Sequence, residues 1–157
     1  MVKEPAKDFI DSSIFLGMLF DKDINCEEYL NSLGYKARNI GFTSPLVFGE
    51  VLNNIIIRVN YQWLRSQIFN TLTNIIDYAI YQQRLKIIRI TKRDLEESTQ
   101  ILEEIEHINQ PADAFLIAIA VNNNCDNFVT IDEGIWKLKR RLYDKFRITI
   151  KYLKFKQ

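Results

Sequence analysis

The chain is poor in the residues on which several common kinds of site depend. Its 157 residues include one histidine, His107, and two cysteines, Cys26 and Cys125. Because histidine is so scarce, a Ser-His-Asp or Cys-His mechanism is not favoured. The two cysteines lack the paired spacing of a zinc site or a disulfide framework, so we expect both to be reduced thiols in a cytoplasmic protein.

Long apolar runs and an excess of one charge are also missing. The longest apolar run, residues 115–121, is far shorter than the roughly 20 residues that cross a bilayer. The N-terminus lacks the apolar core of a signal peptide, so we expect a chain with no membrane partner. The net charge is +1, and a nucleic-acid partner would therefore need a local basic patch.

The composition that remains is 47% hydrophobic and 26% charged, which predicts one globular domain over residues 1–157. Apolar strand patterns alternate with helical patterns along the chain. We predict strands at 7–10, 40–43, 85–90 and 127–131, and an edge strand at 147–153 guarded by Arg147, Lys151 and Lys154. Helices are predicted after residue 11, over 26–33, after Pro45, and over 62–82, 92–107, 111–122 and 136–145. This alternation indicates an α/β fold with a mostly parallel sheet of four to five strands flanked by helices.

The segment 109–132 contains the most informative pattern. Pro111 suits the first position of a helix, where its missing N–H costs nothing. Asp113 then falls in the first turn, where the helix dipole favours an anion. A buried strand follows, and Asp132 stands at its carboxyl end, which is where open parallel sheets bind ligands. Both aspartates can therefore face one crevice.

Two acidic residues earlier in the chain stand in comparable settings, one at a strand end and one in a helix. The four acidic positions and their neighbours are Phe9-Ile10-Asp11-Ser12-Ser13, Thr43-Ser44-Pro45 leading to Glu50, Asp113-Ala114-x-x-x-Ala118-x-Ala120, and Val129-Thr130-x-Asp132. In this order the motifs resemble those of a PIN domain and are similar to VapC-type toxin ribonucleases and their archaeal relatives. The resemblance covers about residues 8–153 and implies a three-layer PIN-like fold.

Four carboxylates that face one cleft repel each other and stay ionised together when cations lie between them. Their oxygen atoms suit hard divalent ions, so we predict Mg²⁺ or Mn²⁺ as the cofactor. Two such ions roughly 3.5–4 Å apart could hold the attacking and leaving oxygens of a phosphodiester. We therefore predict that the catalytic residues and metal ligands are Asp11, Glu50, Asp113 and Asp132, supported by the hydroxyls of Ser13 and Thr130. Taken singly, each carboxylate could instead be a helix cap, a turn residue or a solvated side chain.

The densest basic run follows Asp132 directly, with aromatic residues among its cations. We predict that it binds substrate phosphates or stacks bases through Lys137, Lys139, Arg140 and Arg141. The alternative is a solvated helix face. The pair Tyr61 and Trp63 is interpreted as core or dimer interface rather than as a platform for bases.

The resemblance implies a metal-dependent endoribonuclease that acts on RNA, forms a homodimer and, in the toxin branch, is blocked by a small antitoxin. Two alternatives stay open: an RNA-processing nuclease outside toxin–antitoxin systems, and a non-catalytic RNA- or protein-binding module that kept the fold. A receiver-type signalling domain needs an acidic pair where Asp11-Ser12 stands. A haloacid-dehalogenase-like phosphatase needs a second aspartate where Ser13 stands.

Overall fold

The structure is a computed structural model that describes residues 4–34, 38–108 and 110–153. Asn109, at the start of the segment that carries Asp113, lies outside these ranges. So does Lys154, which was predicted to guard the last strand.

A five-stranded parallel sheet forms the centre of the molecule. Its strands are β1 (Ala6–Ile10), β2 (Asn39–Thr43), β3 (Leu85–Ile87), β4 (Asn127–Thr130) and β5 (Thr149–Tyr152). Every neighbouring pair is parallel, in the order β3-β2-β1-β4-β5. Phe9, Ile10, Phe128 and Val129 of the central strands have no exposed surface, as expected when helices cover both faces of a parallel sheet. The predicted α/β fold is confirmed.

Eight helices connect and cover the described strands. They are α1 (Ser12–Phe20), α2 (Ile24–Ser32), α3 (Pro45–Arg58), α4 (Gln62–Tyr81), α5 (Lys92–Glu104), α6 (Pro111–Asn122), α7 (Glu133–Lys137) and α8 (Lys139–Phe146). Helix α6 is the most deeply buried, because its small residues Ala114, Ala118 and Ala120 let it pack closely against its neighbours. Leu116 and Ile119 of the same helix are buried as well. Within the described ranges, no helix is long and apolar enough to cross a membrane.

The strand order places a switch point between β1 and β4. The chain builds outward from β1 through β2 to β3 and then returns to the other side of β1 with β4. In open parallel sheets, ligands bind outside the carboxyl ends of strands at such a reversal. Receiver-type domains have the order 2-1-3-4-5 instead, so the topology excludes that alternative.

Several boundaries differ from the sequence-based prediction for local reasons. Helix α1 begins at Ser12 with Asp11 as its N-cap, although the hydroxyls of the two serines that follow also suit that position. Strand β3 ends at Ile87 and not at residue 90, because its partner β2 ends opposite it at Thr43. Helix α5 ends at Glu104, three residues before the predicted end at His107.

The predicted helix over 136–145 is two helices. Asp132 caps the start of α7, and the chain turns at Leu138 before α8 begins.

Tyr61 and Trp63, interpreted from the sequence as core or dimer interface, do not lie in the core. Their rings lie 6.4 Å apart with 66% and 62% of their surface exposed, which excludes the core. Both cysteines are buried thiols without a disulfide, as predicted.

Candidate active site

Asp11 is the most firmly held of the acidic side chains. It follows β1 at the carboxyl end of the sheet, and only 4% of its surface is exposed. The Ser12 amide donates to Oδ1 at 2.8 Å. The hydroxyls of Ser13 and Thr130 donate to Oδ2 at 2.7 and 2.8 Å. These bonds fix the orientation of the carboxylate and leave it without a cationic partner among the described side chains.

Asp132 is fixed by the start of the helix that follows it. Its Oδ1 accepts from the amides of Gly134 at 2.6 Å and Ile135 at 3.2 Å. Its own amide donates to Thr130 Oγ1 at 2.9 Å. Ser13 Oγ and Thr130 Oγ1 lie 3.1 Å apart, so the two hydroxyls join the ends of β1 and β4. The predicted supporting residues thus lie between Asp11 and Asp132.

Helices supply the two remaining carboxylates. Glu50 lies in the first half of α3, is partly buried, and accepts a hydrogen bond from the Ser12 hydroxyl. Asp113 lies in the first turn of α6, as predicted from Pro111, and is also partly buried. Their positions bring two helix faces to the edge already occupied by Asp11 and Asp132.

The four charges affect one another. Burial raises the pKa of Asp113 to about 7, and the negative charges of Asp11, Asp132 and Glu50 add to the rise. Burial also raises the pKa of Asp11, although the hydrogen bonds from Ser13 and Thr130 oppose it. The pKa of Glu50 is raised by burial, with the Ser12 hydroxyl acting against it. The site therefore holds more negative charge than its surroundings stabilise.

All four carboxylates line one open recess of about 510 Å³. Its other lining residues are Ser12, Ser13, Leu16, Asn53, Asn54, Arg58 and Gln110. A smaller recess of about 100 Å³ adjoins it, and both contain Asp113, Asp132 and Gln110. His107, the single histidine of the sequence, is exposed and lines this smaller recess.

The donor chemistry of the larger recess fits a hard divalent cation, because its charged donors are carboxylate oxygens. The side chains do not already stand as a closed ligand set. Across 4–34, 38–108 and 110–153, no three His, Cys, Asp or Glu side chains form a group that could hold a metal ion. Like charges favour such a separation, and a cation would have to draw the carboxylates toward it.

The predicted substrate-binding run lies beside the site and not in it. None of its four described cations lines either recess. They pair locally instead, as Lys137–Glu133 (3.1 Å), Lys139–Trp136 ring centroid (3.6 Å), Arg140–Asp144 (3.9 Å) and Arg141–Glu106 (4.0 Å). Their role in binding RNA stays a prediction.

Sequence reasoning missed Asn53, Asn54, Arg58 and Gln110 as lining residues. The sequence held a signal for three of them. Asn54 and Arg58 follow Glu50 at intervals of four residues, which places all three on one face of a helix. Gln110 directly precedes Pro111, the predicted first position of α6. It could therefore have been proposed as a lining residue as well, because Asp113 lies in the first turn of that helix.

Comparisons with known proteins bear on the family and the fold. The family model of the PIN domain matches residues 9–141. No curated protein matches the chain in sequence. Among solved structures, VapBC2 from Rickettsia felis bound to a DNA fragment from its promoter aligns with a TM-score of 0.67 and 15% identity, covering 94% of this chain and 99% of that one.

Two further structures are similar. VapC20 from Mycobacterium tuberculosis, a toxin that cleaves the sarcin–ricin loop, has a TM-score of 0.58 and 16% identity, covering 80% of this chain and 89% of that one. A toxin–antitoxin complex from Klebsiella pneumoniae has a TM-score of 0.54 and 16% identity, covering 80% and 86%. At such identities the likeness establishes the fold alone.

Proposed function

The chain belongs to the PIN-domain family, and from this premise we propose that it is a metal-dependent endoribonuclease. The observation that carries the proposal is the shared recess of Asp11, Glu50, Asp113 and Asp132 at the switch point of the sheet. Burial raises the pKa of Asp113 to about 7 and the negative charges of the three other carboxylates add to the rise, so the metal-free cluster is unfavourable for folding on its own. A divalent cation bound among the carboxylates would offset their repulsion, so the same cluster would serve as a metal-binding site.

Asp11 and Asp132 would be the rigid ligands, because hydroxyls and backbone amides already orient them. Glu50 and Asp113 would complete the set from α3 and α6. When bound, Mg²⁺ or Mn²⁺ would activate water and neutralise charge on a phosphodiester. Ser13 and Thr130 would keep the two strand ends in register while the helix-borne carboxylates adjust.

The proposed biological role is that of a toxin whose small antitoxin covers the recess. The support comes from the neighbours, because the Mycobacterium tuberculosis protein is a toxin that cleaves the sarcin–ricin loop and the Klebsiella pneumoniae structure is a toxin–antitoxin complex. A homodimer is also proposed, since the exposed pair Tyr61 and Trp63 offers an apolar surface of the kind that interfaces cover. The same carboxylates would serve an RNA-processing nuclease equally well.

The function is tested by incubating the purified protein with mixed RNAs in Mn²⁺ or in EDTA. We expect cleavage in Mn²⁺ and none in EDTA. Asp11→Asn and Asp113→Asn should each abolish cleavage while circular dichroism shows an unchanged fold, because each keeps the size of the side chain but removes a negative ligand. The matched control is Asp77→Asn, the same chemical change at an exposed position on α4. Full activity in either cleft variant would contradict the assignment.

The toxin role is separable from the chemistry. Expression of the wild-type chain in a bacterial host should arrest growth, and Asp113→Asn should relieve the arrest. Cleavage in vitro together with normal growth would leave the nuclease in place and favour the RNA-processing alternative.

A further inference from the structure

The recess of carboxylates contains one basic residue that the acidic motifs do not explain. Among its described lining residues, Arg58 is the single Lys or Arg. It is the last residue of α3, and its side chain is exposed. The guanidinium carbon lies 5.2 Å from the centroid of the Phe20 ring, so the cation rests over the aromatic face.

Arg58 does not neutralise the cleft. Within the part of the chain that the structure describes, it forms no salt bridge, although four carboxylates line the same recess. A cation placed only to stabilise the fold would be expected to pair with one of them. The cation–π contact with Phe20 holds the guanidinium beside the ring and leaves its N–H groups available for an incoming anion. A phosphate suits this geometry, because the guanidinium fork can donate to two of its oxygens.

The spacing along α3 gives the scale of the separation between that anion and the acidic end of the recess. Glu50 and Arg58 are eight residues apart in the sequence. At 1.5 Å per residue this corresponds to about 12 Å along the helix. A stacked nucleic-acid strand rises about 3.4 Å per nucleotide, so the interval corresponds to roughly three to four nucleotides. The amides of Asn53 and Asn54 line the recess between the two ends.

We propose that Arg58 is a substrate-binding residue that holds an RNA backbone phosphate a few nucleotides from the scissile bond, so that the strand runs along α3. The inference rests on the proposed nuclease function. On this proposal the RNA strand binds on the α3 side of the recess, whereas the basic run of α7 and α8 lies outside the recess. The cation that attracts the substrate is thereby kept apart from the carboxylates that would bind metal.

The test measures binding without cleavage. Fluorescence anisotropy with a labelled single-stranded RNA of about 20 nucleotides is run on Asp113→Asn alone and with a second change. Adding Arg58→Gln should weaken binding roughly tenfold and reduce the salt slope by about 0.7, the amount for one lost phosphate contact on a single strand. Arg58→Met, which keeps the aliphatic stem over Phe20, should behave in the same way. Arg58→Lys should retain part of the affinity, since it keeps the charge but loses the fork.

The matched control is Arg93→Gln, an exposed arginine on α5 that lines neither recess. It should leave affinity and salt slope unchanged. In the cleavage-competent protein, Arg58→Gln should raise KM for the long RNA with little change in kcat. On a substrate cut back to one nucleotide either side of the scissile bond, Arg58→Gln and wild type should have equal kcat/KM.

The outcomes separate this inference from the function on which it rests. If both Arg58→Gln and Arg58→Met bind RNA as tightly as Arg93→Gln while wild type still cleaves, the phosphate contact is wrong and the nuclease assignment stands. If the parent protein binds no RNA and wild type cleaves none, the proposed function fails and this inference fails with it.

Discussion

Asp8 in β1 and Asp11 just after it are two buried aspartates three positions apart, and they differ in the partners that compensate their charge. Asp8 has no exposed surface, and its carboxylate is saturated by donors from other elements. These are Tyr29 Oη (2.7 Å), Asn39 Nδ2 (2.6 Å), Asn127 Nδ2 (2.6 Å) and Lys151 Nζ (3.4 Å). Asp11 accepts only from hydroxyls and an amide, and it shares its recess with three more carboxylates.

The difference separates a carboxylate that holds the fold together from one that we propose binds metal. Asp8 carries its own cation, Lys151, and ties β1 to α2, β2, β4 and β5. Burial and the nearby Asp8 carboxylate raise the pKa of Tyr29, which keeps its hydroxyl a donor. Among the described residues, no Lys or Arg forms an ion pair with the carboxylates of the cleft around Asp11, although Arg58 lines it. A buried carboxylate thus indicates a binding site when its compensating charge is missing, and not because it is buried.

The largest effect is expected at the structural aspartate. Asp8→Ala should lower the free energy of unfolding by about 3–5 kcal/mol, because it leaves Lys151 and three polar side chains without their acceptor. Urea denaturation measures the change. Asp11→Asn, by comparison, should be neutral or stabilising, since it removes one of four repelling charges. A loss under about 1 kcal/mol for Asp8→Ala would remove the distinction between the two sites, since a loss that small is usual for surface substitutions.

A second expected effect is the pH dependence of the metal-free protein. The pKa of Asp113 is about 7 in the folded protein, above its ordinary value of 3.8. Between these pH values the native state holds a proton that the unfolded chain has released. Stability should therefore be highest below pH 4 for this group and fall as pH rises toward 7, by on the order of 2 kcal/mol after allowance for partial exposure.

Urea midpoints in EDTA from pH 4 to 8 measure that slope. Asp113→Asn should flatten it, whereas Asp77→Asn should not. Adding Mn²⁺ should oppose the fall in wild type, because metal binding favours the deprotonated carboxylates. An identical slope in wild type and Asp113→Asn would assign the pH dependence to other groups.

The smallest effect is expected on the basic run of α7 and α8. Changing Lys139, Arg140 and Arg141 together to Ala should weaken RNA binding a few-fold and flatten its salt dependence, since fewer counterions are released. Affinity for Mn²⁺ should barely move. Anisotropy titrations at several salt concentrations measure both the affinity and the slope. Wild-type values for both would mean that the run is only a solvated helix face.

Local patterns in the sequence were sufficient for much of the fold and for the acidic positions. Pro111 predicted the start of α6 and hence the place of Asp113, and the apolar run before Asp132 predicted a buried strand. Parallel pairing then follows from the alternation of strands and helices. Asp11, Asp113 and Asp132 could be predicted because strand ends and first helical turns have sequence signatures, whereas Glu50 was predicted from the Thr43-Ser44-Pro45 motif that begins its helix and from the family resemblance.

The remaining features depend on contacts between distant residues. The partners of Asp8 lie 21 to 143 positions away, so nothing near Asp8 marks it as structural. The end of β3 is set by the length of β2, which β3's own sequence does not encode. Arg58 carries a spacing signal, but its significance depends on Phe20 from another helix.

The central claim is that the four carboxylates form a site for a divalent cation, and scanning fluorimetry tests it directly. Mn²⁺ that binds only the folded cleft should stabilise wild type by about 2.7 kcal/mol at a hundredfold excess over its Kd. For a domain of this size the Tm should rise by roughly 5–10 °C. Asp77→Asn should show the same rise.

The double variant Asp11→Asn/Asp113→Asn should melt at or above the Tm of metal-free wild type, because two repelling charges are gone, and it should not respond to Mn²⁺. Equal Mn²⁺ shifts in wild type and the double variant would mean that the metal binds elsewhere, which contradicts the account.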